Sequence, residues 1–538
     1  MKERAKISGL GAVALLIGLG LAQARAVAGT ERRGAQAAGA QAPASQDPTK
    51  AAEAKSAASS KPWPCKESSV TEHTIRIGGQ TIPYKATAST TLLKDEKGEP
   101  TALIYSTAYT RSDVKDLTQR PIAFLYNGGP GSASLWLHMG AFGPRRVVTD
   151  DPNGPPPPPY KIVDNAECLL DAADLVFIDP VGTGFSHATG KSADKDFWGV
   201  DPDVKSLAQF INTWVSRNNR WNSPKFLIGE SYGTFRSAAL ANELESHSGM
   251  YFNGIVMIST VLDMSTLVFN TGEDMPYVFY LPSYAATAWY HKTLKERPED
   301  VNAFLDEARK FAAGEYAAAL MKGAQLGDAE KADIAKRLAR FTGLDEDYLK
   351  KADLRVNLQQ FMAELQRSRG LTTGRLDARY TGLTYDLLTE NAEYDPQSNA
   401  ITGAFVAAFN SYVREELNFG ADKSYNALNE DVEKNWDWKH NGGEVNGDPV
   451  APNVEGDLVQ ALLTNPHLQV QAENGLYDLA TPFFATEYTM DHLELPAKLR
   501  ANIHLEYYDA GHMMYLREES LVKLKNNVGE FIEAASKR

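Results

Sequence analysis

Phe226-Leu227-Ile228-Gly229-Glu230-Ser231-Tyr232-Gly233-Thr234 joins a short apolar run to a Gly-x-Ser-x-Gly turn, the single occurrence of that pattern among 538 residues. The run reads as a strand that ends in a sharp turn and passes into a helix. Glycine at positions 229 and 233 leaves room for the turn that lifts the Ser231 hydroxyl clear of the backbone. A serine hydroxyl is a weak nucleophile until a base takes its proton. The motif therefore requires a histidine and, to orient that histidine, a carboxylate.

The flanks of the motif carry the same rhythm. Apolar runs at Ile122–Tyr126, Leu175–Asp179, Ile255–Ser259, Leu468–Ala472 and Ile503–Tyr507 predict strands, preceded by shorter ones at Thr74–Ile77 and Ala102–Tyr105. Val204, Leu207, Ala208, Ile211, Trp214 and Val215 recur at helical spacing, which predicts a helix between two of them. Strands alternating with helices give an α/β architecture, a mostly parallel central sheet flanked by helices. The rhythm stops between about Met264 and Asn453. There the stretch from Glu299 to Arg369 is dense in Ala, Leu, Lys, Glu and Arg at amphipathic spacing. The expected organisation is a core in two parts, 63–263 and 454–538, separated by a helical cap insertion over 264–453. A separate helical domain without a part in the chemistry is the alternative.

A strand–turn–helix nucleophile in such a sheet predicts the α/β-hydrolase fold, whose chain order is serine, then acid, then histidine. Seven histidines follow Ser231. His512, in the loop Asp509-Ala510-Gly511-His512 directly after a predicted strand, is the best placed, because catalytic groups gather where parallel strands end. His492 and His504 are its rivals. Asp478 follows the preceding strand and the turn Glu473-Asn474-Gly475, which favours it over Asp457 and Asp491. The Gly-rich loop Asn127-Gly128-Gly129-Pro130-Gly131 follows the strand Ile122–Tyr126 and lets backbone N–H groups approach an oxyanion. Gly129 and Tyr232, the residue after the nucleophile, are the expected donors.

The remaining features limit the partners. A formal charge of −14 argues against nucleic acid. Lys2, Arg4 and Lys6, the apolar run Ile7 to Ala22 and the alternating Ala22, Ala24, Ala26 and Ala28 describe a secretory signal peptide over about 1–26. The expected destination is secreted or periplasmic, with no stable membrane insertion after cleavage; a retained anchor is the alternative. Residues 27–62 are poor in large apolar side chains and read as a flexible linker. Cys65 and Cys168 permit one disulfide or two thiols. Without a CxxC or HExxH pattern, no metal site is expected, and the chemistry needs no cofactor.

The chain also resembles the serine carboxypeptidases. The resemblance rests on five blocks in family order: Tyr126-Asn127-Gly128-Gly129-Pro130-Gly131-Ser132-Ala133-Ser134, Phe177–Ser186, Gly229–Thr234, Asn474-Gly475-Leu476-Tyr477-Asp478, and Ala510-Gly511-His512-Met513. It implies hydrolysis of the C-terminal peptide bond of a peptide substrate through an acyl-enzyme. It also implies that Asn127, Gly128 and Glu230 bind the substrate's terminal carboxylate, with Glu230 protonated so that it can donate. Two positions depart from the family pattern: Leu125 stands for a Trp, and Ala141 for a Glu. Half of the expected acidic pair is thus absent. One reading has Arg145 or Arg146 supply a cation to the carboxylate instead; surface arginines with no such role are the favoured one. An esterase or acyltransferase using the same triad is the alternative within enzymes, and a binding protein without activity the alternative outside them.

Overall fold

The computed structural model describes residues 67–441, 444–445, 448–449 and 451–537. The expected signal peptide, the linker and Cys65 lie outside these residues. Cys168 is buried.

Nine strands form the main path of the central sheet. They are β1 (Ser68–Ile77), β2 (Gln80–Lys94), β3 (Pro100–Arg111), β4 (Ile122–Tyr126), β5 (Asp174–Ile178), β6 (Lys225–Glu230), β7 (Gly254–Ile258), β8 (Gln469–Gly475) and β9 (Ile503–Tyr508). Their spatial order is β1-β2-β3-β5-β4-β6-β7-β8-β9. The first three run antiparallel, as does the β3–β5 pair; every pair from β5 to β9 is parallel. All five residues of β4, β5 and β7 are buried, as expected of strands covered on both faces. Strand β2 has no counterpart in the sequence reading. Its inward positions after Ile82 and Tyr84 are the small Ala86 and Ala88, which give almost no apolar contrast.

Helices cover both faces. On one face lie α1 (Val200–Arg217) and α2 (Tyr232–Ser248), and the six apolar residues picked out by spacing in α1 are all buried. The 264–453 span contributes α3 (Met275–Tyr290), α4 (Val301–Phe311), α5 (Asp328–Thr342) and α6 (Pro396–Glu415). The chain closes with α7 (Glu455–Thr464) and α8 (Glu518–Ser536). Packing divides the 264–453 span. Helices α3, α4 and α5 share an apolar cluster with Leu476, Tyr477, Leu479 and Phe483, the residues around Asp478. Helix α6 instead lays Ile401, Phe405, Phe409 and Tyr412 against the sheet face that α8 also covers. It begins cleanly because Asp395 accepts from the Gln397 N–H and Pro396 occupies the first turn. No helix among the described residues is long and apolar enough to cross a membrane.

Candidate active site

Strand β6 delivers Ser231 at its C-terminal end, and α2 starts at the next residue. Ser231 has φ 60° and ψ −129°, a conformation that a residue with a Cβ adopts only under strain. The turn is crowded as well as strained: a Cβ on Gly229 would lie 2.2 Å from the Gly233 carbonyl oxygen. The Ser231 N–H donates to the Ile258 carbonyl at 2.9 Å, tying the turn to the end of β7. Ser231 is half-buried and borders a cavity lined also by Gly129, Tyr232, Met264, Phe269, Tyr280 and Arg375.

Asp478 and His512 arrive from the ends of β8 and β9. His512 Nδ1 lies 2.8 Å from Asp478 Oδ2. The Asp478 carboxylate is fully buried and also accepts from the Ala480 N–H at 2.7 Å, the Thr481 N–H at 3.0 Å and the Thr481 hydroxyl at 2.8 Å. Burial opposes the charged imidazole, but the adjacent Asp478 carboxylate outweighs it and holds the His512 pKa above its ordinary value. The His512 backbone is held from two sides. Its N–H donates to the Leu376 carbonyl at 2.7 Å, and its carbonyl accepts from the Ser259 hydroxyl, also at 2.7 Å. Ser259 directly follows Ile258, the residue whose carbonyl holds Ser231. The two turns are therefore braced against the same end of β7.

The rivals are placed elsewhere. His492 is exposed, with Nδ1 2.7 Å from the Tyr488 carbonyl. His504 sits within β9 with its side chain exposed. Asp457 is joined to His440 and Asn242, and Asp491 is exposed.

The Gly-rich loop after β4 packs against the serine turn. A Cβ on Gly128 would meet the Tyr232 nitrogen at 2.4 Å and the Glu230 carbonyl oxygen at 2.7 Å, so only glycine fits. Gly129 has φ +100°, the left-handed region that glycine tolerates. Tyr232 is the first residue of α2, so its N–H has no acceptor within the helix. Both expected donors thus stand beside Ser231 at the cavity wall.

Asn127 and Glu230 meet beneath. The Asn127 Nδ2 donates to Glu230 Oε1 at 2.8 Å, and both residues are buried. Asn127 is fixed in turn by the Leu137 N–H, which donates to its Oδ1 at 3.1 Å, and by Arg236, which donates to its carbonyl at 2.7 Å. Glu230 Oε2 is buried without a hydrogen bond of good geometry, with the Tyr515 hydroxyl as its neighbour. Burial pushes the Glu230 pKa up to about 7, with His512, Tyr515 and Asn127 partly offsetting it. At Leu125 and Ala141, the two positions that depart from the family pattern, both side chains are fully buried in the apolar core.

The suggested arginines have other partners. Arg145 pairs with Asp164 and, at 3.0 Å, with Glu416; Arg146 pairs with Glu518 at 3.0 Å. Neither lines the cavity at Ser231. The cation that does is Arg375, which no motif marks in the sequence. Its segment carries Asp377, which accepts from the Gly511 N–H at 2.9 Å and from the buried Arg379. Among the described residues no group of His, Cys, Asp and Glu could hold a metal ion.

The profile of the serine carboxypeptidases matches residues 83–524. The chain belongs to the serine carboxypeptidase family. Among solved structures it is similar to Kex1Δp, a prohormone-processing carboxypeptidase from Saccharomyces cerevisiae. The identity is 17% and the TM-score 0.51, over 84% of this chain and 92% of that one, a likeness that shows the fold. The retinoid-inducible serine carboxypeptidase of Homo sapiens is 31% identical over 139 residues, 25% of this chain and 27% of the relative. Serine carboxypeptidase-like 13 of Arabidopsis thaliana is 28% identical over 138 residues, 25% of this chain and 31% of the relative. The matched segments thus span less than a third of these two relatives' lengths.

Proposed function

We propose that the protein is a serine carboxypeptidase that removes the C-terminal residue of peptides through an acyl-enzyme on Ser231. The observation that carries this reading is the buried Asp478–His512 pair, 2.8 Å apart, braced to the same strand end as the strained Ser231 turn. In the proposed reaction the Ser231 hydroxyl attacks the scissile carbonyl carbon, and His512 Nε2 takes its proton. The Gly129 and Tyr232 N–H groups receive the developing oxyanion. Collapse breaks the C–N bond as His512 returns the proton to the leaving amine. Water, deprotonated by His512, then hydrolyses the ester. Asn127, Gly128 and neutral Glu230 form the subsite for the terminal carboxylate. Helices α3, α4 and α5, packed around the residues flanking Asp478, serve as the cap, and the N-terminal segment directs export.

The buried Leu125 and Ala141 support a second reading. Without the second acidic side chain, Glu230 is the one acid left in the subsite for a free C-terminus, which would also suit an esterase or acyltransferase. The test is release of the C-terminal amino acid from N-blocked peptides with a free or an amidated terminus, beside Ser231→Ala. The proposal expects cleavage that needs both Ser231 and the free carboxylate. Equal cleavage of amides and simple esters would move the function to the second reading.

A further inference from the structure

Among the described residues lining the cavity at Ser231, Arg375 is the single charged side chain. The rest of that wall is largely apolar, with Val261, Met264, Leu267, Val268, Phe269, Leu358 and Trp438 contributing to it. Elsewhere this protein neutralises its arginines readily: Arg120 and Arg220 share Asp174, Arg236 holds Asp203, and Arg379 holds Asp377 and Asp151. Arg375 is an exception. Among the described residues its guanidinium has neither an ion pair nor a hydrogen bond. Glu433 and Asp395 lie close enough to feel its charge, yet neither pairs with it.

The backbone that carries this cation is fixed to the same loops as Asp478 and His512. The Arg375 carbonyl accepts from the Leu479 N–H at 3.0 Å, one residue beyond Asp478. The next carbonyl, that of Leu376, takes the His512 N–H at 2.7 Å. On the other side the Arg375 and Leu376 N–H groups donate to the buried Asp395 carboxylate at 3.2 and 3.3 Å. An arginine held in this way, and unpaired among the described residues at a largely apolar cavity, is a receptor for an anion, and a planar guanidinium matches a carboxylate best.

We propose that Arg375 receives a carboxylate of the substrate and makes the enzyme selective for acidic substrates. The inference rests on the Ser231 reading and names the substrate class for that site. The carboxylate is that of an Asp or Glu side chain flanking the scissile bond, the terminal carboxylate falling to Asn127, Gly128 and Glu230.

The test compares kcat/KM for N-blocked dipeptides with Glu, Gln or Lys on either side of the scissile bond, with free or amidated ends. The enzymes are wild type, Arg375→Ala and Arg375→Glu. Loss of a charge-assisted, partly desolvated pair lowers kcat/KM by about 10- to 100-fold. The expected result is a Glu-over-Gln preference of that size in the wild type, erased in Arg375→Ala and turned toward Lys in Arg375→Glu, the ratio within each enzyme being the readout. A lower free-acid over amide ratio in Arg375→Ala with an unchanged Glu-over-Gln ratio would assign Arg375 to the terminal carboxylate and overturn the proposal. Equal losses on all substrates, or none, overturn the proposal. Should no peptide be cleaved, p-nitrophenyl glutarate against p-nitrophenyl valerate puts the same question to Ser231 chemistry. An absent preference there overturns the role of Arg375, whereas a preference erased in Arg375→Ala upholds it although the peptidase reading has failed.

Discussion

Glu230→Gln separates a substrate-binding carboxyl from a structural one. In the wild type the side chain is buried, its pKa is pushed up to about 7, and its Oε1 accepts from Asn127. Only the neutral acid can donate to a substrate carboxylate, so the competent fraction falls as pH rises through that value. With a pKa of about 7, KM for a free-acid peptide is near its floor at pH 6, doubles at pH 7 and reaches about 11 times the floor at pH 8. Glutamine keeps the acceptor for Asn127 and offers N–H donors at every pH. Glu230→Gln should therefore bind the same peptide with a KM that stays flat from pH 6 to 8. The assay is steady-state hydrolysis of an N-blocked dipeptide across that range, with an uncharged ester substrate as a control for His512 titration. A KM that still climbs about tenfold in Glu230→Gln, parallel to wild type, would refute the reasoning, because the titrating group would then lie elsewhere.

Three further outcomes follow from the geometry. Asp478→Asn disturbs the His512 tautomer, so kcat should fall by about 10⁴, and removes the charge that holds the His512 pKa up, so the residual activity should rise from a lower pH than in wild type; pH–rate profiles of kcat and of kcat/KM report the two effects. Asp377→Ala leaves the Gly511 N–H unpaired and deprives buried Arg379 of one of its two carboxylates. Because Asp151 remains, the loss should sit near the low end for a broken buried pair, about 3 kcal/mol by denaturant unfolding, with kcat reduced through the displaced His512 loop. His440 bridges Asp201 at 2.7 Å and Asp457 at 2.8 Å; burial lowers its pKa, but the two carboxylates outweigh that and raise it. Its contribution is therefore full below the unfolded value of about 6.5 and is lost as pH rises through the folded one. Thermal unfolding should show His440→Gln destabilised more at pH 6 than at pH 9.

The residues proposed to bear the chemistry were legible because each must satisfy a local backbone demand as well as a chemical one. Gly229 and Gly233 relieve the crowding of the Ser231 turn, and Gly128 leaves no room for a Cβ against Tyr232, so these positions betray themselves by composition. The parallel strands were legible for a similar reason: burial on both faces makes β4, β5 and β7 continuous apolar runs. Strand β2 escaped notice because small residues serve its inner positions. The division of the 264–453 span was also invisible, since α6 and the helices around Asp478 are all rich in apolar residues and differ only in what they pack against. Arg375 could not be found from sequence at all. Its position depends on backbone hydrogen bonds to residues more than 100 positions away, while Arg145 and Arg146, nearer the glycine loop in sequence, turn out to be neutralised.

The central claim is that Ser231 becomes acylated. It is tested most directly by intact-protein mass spectrometry after reaction with a fluorophosphonate, followed by peptide mapping. The account predicts one adduct, on Ser231, absent from Ser231→Ala and greatly slowed in His512→Ala. An adduct on another residue, or undiminished labelling of Ser231→Ala, would contradict it.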